Sequence, residues 1–315
     1  MFELYKKRQL GDYIVDSFTF FKNFGKQFFK IFFAINAGLL LISGALMYWF
    51  LKFNFTSLVD NSLEKTTPNE LLNYFDRDPV ITGFVIIFSI VILLLSLFNT
   101  SYPILYLKLI AEKSTNNFTT QDILTAFRKS LWKIIKFGLG AVFIIFPVLC
   151  IIIIVLFFLC FVLVGIPLLI IAIPTLFTWV HLSFYTYLTE DKSFFESLNH
   201  AHLLLKEDFW STIGASFIAM IMIQMVQASI TMFFYFVGIF AFIFFAIANP
   251  DFEKMPFEPS PFFLILITLA FVLIMALSNI FNNVLVVNQG IIYYSLGAED
   301  RFSATEIESI GSHNE

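Results

Sequence analysis

The sequence predicts an all-α membrane protein, a polytopic helix bundle with about six transmembrane helices. Three observations support this fold class: 59% of the residues are hydrophobic, only 13% are charged, and the charged residues are absent from five long stretches. Soluble domains carry about 25% charged residues. The composition therefore excludes a chain that faces water on all sides.

The charge-free stretches determine how many spans we expect. They contain 21, 29, 53, 42 and 40 residues without Asp, Glu, Lys or Arg. In chain order they are 31–51, 79–107, 137–189, 209–250 and 259–298. Because a transmembrane helix needs about 20 apolar residues, every stretch can cross a bilayer, and each of the first two predicts one helix.

The third stretch predicts two helices. A single helix of 53 residues would extend over about 80 Å, and Gly165-Ile166-Pro167 interrupts the stretch near its middle. Glycine commonly follows the end of a helix and proline commonly begins one. We therefore expect spans over about 137–164 and 167–189, joined by a tight turn.

The fourth stretch, 209–250, allows three interpretations, because only Gly238 interrupts it. It can form one long helix, a span followed by a re-entrant or interfacial piece, or two spans, which would give seven in all. We favour a single crossing. The last stretch follows a proline-marked loop over 249–261 and predicts one helix over about 262–296.

A short amphipathic segment precedes each pair of spans, which indicates three repeats. The segments begin at Asp12, Thr119 and Ser193, all suitable N-cap residues. Asp122 and Glu196 lie three residues after the second and third caps, at the spacing of a capping box. Within a single membrane domain, 1–315, the predicted repeats are 10–110, 119–189 and 193–297, followed by a short cytoplasmic tail, 298–315.

The first two amphipathic segments predict helices that lie in the headgroup region. The expected apolar face of the first is Ile14, Phe18, Phe21, Gly25 and Phe28, and that of the second is Ile123, Leu124, Phe127, Leu131 and Ile134. Basic side chains on the opposite faces favour anionic lipid. The predicted lipid-interface residues are Lys22, Lys26, Arg128, Lys129 and Lys133. The third segment is acidic, which favours a protein partner over lipid.

Lys and Arg predict the orientation of the chain. The N-terminal segment and 108–136 hold six basic residues each, against three in 52–79 and one in 250–261. Because cytoplasmic loops are enriched in Lys and Arg, the first two segments are predicted to be cytoplasmic. Six spans then place both termini in the cytoplasm, and the predicted location is the bacterial cytoplasmic (inner) membrane. The basic residues before the first apolar run are unlike a cleavable leader.

The sequence contains no motif for catalysis or for a cofactor. A Walker loop, a dinucleotide-binding glycine fingerprint, a His-Glu-x-x-His motif and a nucleophile elbow are all missing. His200 and His202 fall on nearly opposite sides of a helix, and Cys150 and Cys160 lie alone in an apolar run. We therefore expect no enzyme activity, no cofactor, no metal and no nucleic-acid partner.

Polar residues inside the spans are the best candidates for a site. They are Gln224, Gln227, Asn279, Asn282, Asn283 and Gln289. Amides in hydrocarbon need hydrogen-bond partners, so the favoured interpretation is contacts between helices; the alternative is a polar groove for a lipid headgroup or a small solute. For His181, a proton relay is weighed against a neutral side chain hydrogen-bonded between helices, and the latter is favoured because no carboxylate shares the membrane core.

Three features together resemble a known bacterial family of poorly characterised six-span proteins. They are the repeated amphipathic helices, the ending Ile291-Ile-Tyr-Tyr-Ser-Leu-Gly-Ala-Glu, and the segment Ala304–Gly311 that follows it. The family is related to the membrane domain that some bacteria fuse to glycerophosphodiester phosphodiesterase. This chain has no phosphodiesterase domain, so the resemblance implies no hydrolase activity. It does imply an association with MoxR-type ATPases, which such proteins are often encoded beside.

Three functions follow as hypotheses. The favoured one is a non-catalytic subunit or scaffold of a bacterial inner-membrane (envelope) complex, whose partners are membrane lipids and other inner-membrane proteins. The alternative is a carrier or channel for an uncharged or lipid-like solute. A lipid-modifying enzyme has the weakest support, because no paired carboxylates or metal ligands converge in the sequence.

Overall fold

The structure is a computed structural model, which describes residues 2–63, 79–113, 118–248 and 260–298. In these ranges the chain is almost entirely helical and contains no strand, which confirms the predicted all-α fold class. The helices are α1 (Leu10–Leu63), α2 (Pro79–Lys113), α3 (Thr120–Gly140), a π-helical segment (Ala141–Ile145), α4 (Phe146–Cys160), α5 (Gly165–Thr189), α6 (Phe194–Glu207), α7 (Phe209–Ala248) and α8 (Pro261–Leu296).

Six helical segments among the described residues are long and apolar enough to cross a membrane. They are Leu10–Phe53, Pro79–Lys113, Thr120–Cys160, Gly165–Thr189, Phe209–Phe240 and Pro261–Leu296. The chain is thus a multi-pass membrane protein with six candidate spans, as predicted. The fourth charge-free stretch forms one helix of 40 residues, α7, which confirms the single-helix interpretation. The tail that begins at residue 299 and the loop over 249–259 lie outside the described residues.

The turn between α4 and α5 differs from the prediction. Helix α4 ends at Cys160 rather than near residue 164, and Leu163, not the glycine, adopts a left-handed conformation with φ of 64°. Gly165 is instead the first residue of α5. A Cβ at Gly165 would lie 2.5 Å from the carbonyl oxygen of Leu156. Glycine is therefore needed here because the start of α5 lies close to the backbone at the end of α4. The general preference for glycine after helix ends does not predict this requirement.

The three amphipathic segments begin different kinds of helix. The first is the start of α1, and the second, α3, continues through the π-helical segment into α4, whereas the third forms the separate helix α6. Both predicted capping boxes are confirmed. The backbone N–H of Thr119 donates to the carboxylate of Asp122 over 2.7 Å, and that of Ser193 donates to Glu196 over 2.7 Å.

The predicted apolar face of the first segment lies partly at the surface and partly in the interior, and its placement in the headgroup region stays a prediction. Phe18 is 57% exposed, and the residues that face the protein interior are Tyr13, Ser17, Phe20, Phe24 and Phe28. The sequence did not predict this interior face, which begins with the hydroxyl-bearing side chains of Tyr13 and Ser17. In the second segment Ile123, Phe127 and Ile134 are buried, whereas Leu124 and Leu131 are each 43% exposed.

Contacts divide the chain into two compact units. Within the described residues, unit 1 comprises 2–34, 99–113, 118–224 and 281–298, and unit 2 comprises 35–63, 79–98, 225–248 and 260–280. In unit 2, the rings of Phe50 and Phe84 stack with their centroids 4.4 Å apart. The candidate sites described below lie mainly in unit 1. The division of the chain into three repeats stays a prediction.

Candidate functional site

A chain of buried hydrogen bonds joins four helices of unit 1. Thr178 of α5 donates to the Ser216 hydroxyl of α7 over 2.8 Å, and the Gln289 amide of α8 donates to the same oxygen over 3.0 Å. Gln289 also donates to Asn288 over 3.3 Å, and Asn288 donates to the Ser17 hydroxyl of α1 over 3.0 Å. We call these five residues the four-helix network.

The geometry of α8 explains how the network reaches two sides. Successive residues on an α-helix point about 100° apart, so the neighbours Asn288 and Gln289 reach different helices, α1 and α7. All five side chains of the network are buried. Because a buried polar group costs free energy unless it is hydrogen-bonded, these contacts favour one arrangement of the four helices over others.

Of the five residues in this network, Gln289 was among the candidate residues predicted from the sequence. The hydroxyls of Ser17, Thr178 and Ser216 occur singly in mostly apolar or amphipathic surroundings, where small hydroxyl side chains are common. No local sequence pattern distinguishes a serine that forms a hydrogen bond to another helix from one that does not. Their partners lie 38 to 271 positions away in the chain, so only the folded structure identifies them.

A second buried contact joins α8 to α2. The Asn283 amide nitrogen donates to the Asn99 side-chain oxygen over 2.7 Å, and both residues are buried. Asn279 lies one turn before Asn283 and is also buried, whereas Asn282 is only half-buried. The asparagines of α8 therefore do not all share one surface.

We expect Asn99→Leu or Asn283→Leu to lower the free energy of unfolding by about 1–3 kcal/mol each, because either change leaves a buried amide with a lost partner. The double variant should lose less than the sum of the two, because both partners are then apolar. Thermal or denaturant unfolding of the four proteins in one detergent measures this coupling. Strictly additive losses would contradict the described contact.

The remaining predicted polar residues lie in separate places. In unit 2 the Gln227 amide donates to the Ser278 hydroxyl over 3.0 Å, whereas the Gln224 side chain of unit 1 is exposed. His181 is half-buried, and its Nδ1 lies 2.9 Å from the Phe177 carbonyl oxygen of its own helix. Nδ1 of His181 therefore does not make the predicted contact to another helix, because a carbonyl oxygen in the preceding turn of α5 is already its partner.

Two tyrosines of unit 1 also form hydrogen bonds between helices. Tyr185 of α5 donates to the Val286 carbonyl oxygen of α8 over 2.8 Å, and Tyr102 of α2 donates to the Phe28 carbonyl oxygen of α1 over 2.6 Å. Gly290 makes the first contact possible, because a Cβ at this position would overlap the Tyr185 hydroxyl. The sequence analysis did not single out these tyrosines.

Glu190 organises a polar cluster where α5 ends. Its carboxylate accepts a hydrogen bond of 2.5 Å from the Tyr293 hydroxyl of α8 and pairs with Lys192 over 2.7 Å. His200 Nε2 of α6 lies 3.6 Å from the same carboxylate. Thr189 Oγ1 lies 2.8 Å from the Tyr293 hydroxyl. We call these five residues the Glu190 cluster.

A cavity of about 460 Å³ adjoins the Glu190 cluster. Lys108 and Glu112 of α2 line it as well, so its lining includes two lysines and two glutamates together with His200. Lys108 also donates to the Leu188 carbonyl oxygen over 2.8 Å, which satisfies a backbone group in the last turn of α5. These contacts connect the ends of neighbouring helices. The lysines and glutamates that line the cavity are equal in number, so neither positive nor negative charge dominates it.

Burial raises the pKa of Glu190, but the hydrogen bonds from Lys192 and Tyr293 and the charge of His200 outweigh burial, so the pKa lies below its usual value. A carboxylate with a lowered pKa stabilises the folded state above its ordinary pKa, and this contribution is lost as the pH falls through the folded pKa. Glu190 and Tyr293 could not be predicted as partners from the sequence, because 103 positions separate them.

We expect Glu190→Gln to lower the melting temperature at pH 7, because the variant loses a charged acceptor. The difference from the wild type should shrink as the pH falls below the ordinary glutamate pKa of about 4.3, because the stabilisation by the carboxylate is lost as the pH falls further through its lowered folded-state pKa. Melting curves across this pH range in one detergent measure the effect. A difference that grows on acidification would contradict the assigned role of the carboxylate.

The N-terminal segment folds around a buried arginine. Arg8 is only 3% exposed, and its Nε lies 2.7 Å from the Asp16 carboxylate. It also donates to the carbonyl oxygens of Leu4 and Lys6 over 2.9 and 3.1 Å. Ser295 of α8 donates to the Lys6 carbonyl oxygen over 2.8 Å. The sequence analysis counted Arg8 only as one of the basic residues near the membrane.

The predicted lipid-interface residues differ in their surroundings. Lys22, Lys26, Arg128 and Lys129 are exposed. Lys133 is half-buried, and its ammonium group lies 3.0 Å from the carboxylate of Asp191, just after α5. Four of the five are thus exposed, whereas Lys133 connects α3 to the segment that follows α5, and their contact with lipid stays a prediction.

The described part of the chain contains no group of three or more His, Cys, Asp or Glu side chains placed to hold a metal ion. Comparison of the sequence and structure with protein-family models, curated proteins and solved structures finds no match.

Proposed function

We propose that this chain is a non-catalytic integral membrane subunit or scaffold of a bacterial inner-membrane complex. The proposal rests on one observation: polar side chains inside the spans form hydrogen bonds with one another. The four-helix network and the Asn99–Asn283 pair direct these groups towards one another across helices. Such contacts stabilise one packed arrangement, which suits a rigid platform for other proteins.

The ends of the helices support the same proposal. The Glu190 cluster and the buried Arg8 each fasten several chain segments at one end of unit 1. We propose that this end faces the cytoplasm together with both termini, in accordance with the excess of Lys and Arg in the N-terminal segment and in 108–136. A MoxR-type ATPase, which the family resemblance implies, would meet the protein on this side.

Purification of the tagged full-length chain in a gentle detergent tests the proposal. We expect other integral membrane proteins to co-purify in a fixed molar ratio, and a MoxR-type ATPase is the soluble partner to look for first. A six-span transporter with the same tag, expressed at the same level, is the control for non-specific capture. Recovery of the chain alone, at a mass of 36.3 kDa and without a partner, would contradict the proposal.

A carrier or channel for an uncharged solute is the second candidate. One observation favours it: the side-chain oxygen of Gln289 is buried and accepts no hydrogen bond from the residues that the structure describes. If a solute binds there, Gln289→Leu should abolish its flux into vesicles, whereas Asn99→Leu, for which we expect a similar loss of stability, should retain the flux. Unchanged flux would remove this candidate.

A further inference from the structure

A groove at the surface of unit 1 lies between α5 and α7. It has a volume of about 430 Å³, and its lining is apolar except for one residue. Ile170 and Pro174 of α5 form one wall, Ile221 of α7 forms the other, and Leu285 of α8 contributes to the lining. We call it the α5–α7 groove. The exception in its lining is the side chain of Gln224.

Gln224 is an exposed amide inside a membrane span. It follows the first residue of α7 by 15 positions, a distance of about 22 Å along the helix, which is well within a hydrocarbon layer about 30 Å thick. It makes no hydrogen bond to any residue in the described ranges. Its neighbour Gln227 is bonded to Ser278. An amide in hydrocarbon is costly until it finds a partner.

The opposite wall of the groove supplies a second polar feature. Pro174 lies inside α5 and has no N–H to donate to the carbonyl oxygen of Ile170, four residues earlier. The hydroxyl of the next residue, Thr175, donates to the Ile171 carbonyl oxygen over 2.6 Å and so does not supply the donor that Ile170 lacks. The groove therefore combines a free amide on α7 with a wall whose backbone lacks one helical donor.

We propose that the α5–α7 groove receives a transmembrane helix of a different polypeptide, with a hydrogen-bonding side chain at the level of Gln224. The inference rests on the proposed subunit function and names the surface through which the chain binds a membrane partner. Polar complementarity selects this occupant, because acyl chains carry no donor or acceptor for the amide. Shape excludes a symmetric contact with a second copy, because two concave grooves would face each other.

Site-specific photo-crosslinking in native membranes tests the inference. A benzophenone side chain is placed at Ile221 in the groove, and at Phe158 of α4 as a control, since Phe158 is 63% exposed on another helix. From Ile221 we expect an adduct with a transmembrane segment of another polypeptide, identified by sequencing the joined peptide. From Phe158 we expect adducts with lipid.

Substitution of Gln224 then tests the amide itself. Gln224→Leu should lower the yield of the Ile221 adduct about threefold, the change in association that corresponds to one interhelical hydrogen bond of about 0.6 kcal/mol. Gln224→Asn should retain more of the yield than Gln224→Leu. Gln227→Leu is the matched control: it removes a contact within the chain and should leave the adduct yield unchanged. Gln224→Leu should also leave the melting temperature of the isolated chain unchanged.

The outcomes separate this inference from the proposed function. Ile221 adducts with lipid only, adducts with a second copy, or a yield unaffected by Gln224→Leu would each overturn the groove assignment. If partners still co-purify in a fixed ratio in those cases, the subunit function stands and the interface lies elsewhere. If no membrane protein co-purifies with the wild type, the subunit function fails as well.

Discussion

Replacing Gly290 with alanine is expected to lower the free energy of unfolding by about 2–4 kcal/mol. Overpacking of a tight contact costs about 1–3 kcal/mol, and loss of one hydrogen bond adds about 1 kcal/mol. The new Cβ would lie 2.7 Å from Cζ of Tyr185 and would also overlap Leu107. To relieve this contact, Tyr185 must move away from the Val286 carbonyl oxygen.

Two further variants isolate the cause of that loss. Gly38→Ala is the matched control, since a Cβ at Gly38 meets no atom within 4 Å; alanine should be neutral or stabilising there, as helix propensity predicts. Adding Tyr185→Phe to Gly290→Ala removes the overlapping hydroxyl and should recover part of the stability. Thermal unfolding in one detergent measures all of them. Equal stabilities of Gly290→Ala and the wild type would show that the close packing of α5 on α8 is wrong.

Replacing Gln289 with leucine is expected to lower the free energy of unfolding by about 1–3 kcal/mol, because Ser216 and Asn288 each lose a donor at a buried position. A double-mutant cycle with Ser216→Ala should show a coupling of about 0.6 kcal/mol, within the range known for contacts between membrane helices. Denaturant unfolding in mixed micelles measures the four free energies.

Gln224→Leu is the matched control for Gln289→Leu. Both changes replace a glutamine of a membrane span by leucine, but Gln224 makes no hydrogen bond to the described residues of the chain. We therefore expect the isolated protein to keep its stability after Gln224→Leu. A loss at position 224 as large as that at position 289 would mean that the four-helix network does not explain the effect.

The spans were predictable because a single physical rule governs them. A charged side chain in hydrocarbon is costly, so the stretches between charges mark the helices directly. The same rule gave the extent of α7, where Phe209–Ala248 fills most of the charge-free stretch 209–250. The capping boxes at Thr119 and Ser193 were predictable too, because donor and acceptor are only three residues apart.

The contacts between helices were not predictable, because they depend on how the helices are arranged. Gln289 was a candidate, but its partner Ser216 is 73 positions away and carries no distinguishing pattern. Arg8 belongs to a basic segment, yet the structure buries it against Asp16. In both cases the type of residue is visible in the sequence, whereas its surroundings arise only after the chain folds.

The position of the two termini tests the account most directly, because six spans and the cytoplasmic placement of the Glu190 cluster both depend on it. Protease is added to intact cells that carry an epitope tag before Met1 or after Glu315. The account predicts that both tags survive in intact cells and are cleaved once the membrane is permeabilised. Cleavage of the C-terminal tag alone in intact cells would require an odd number of spans and would contradict it.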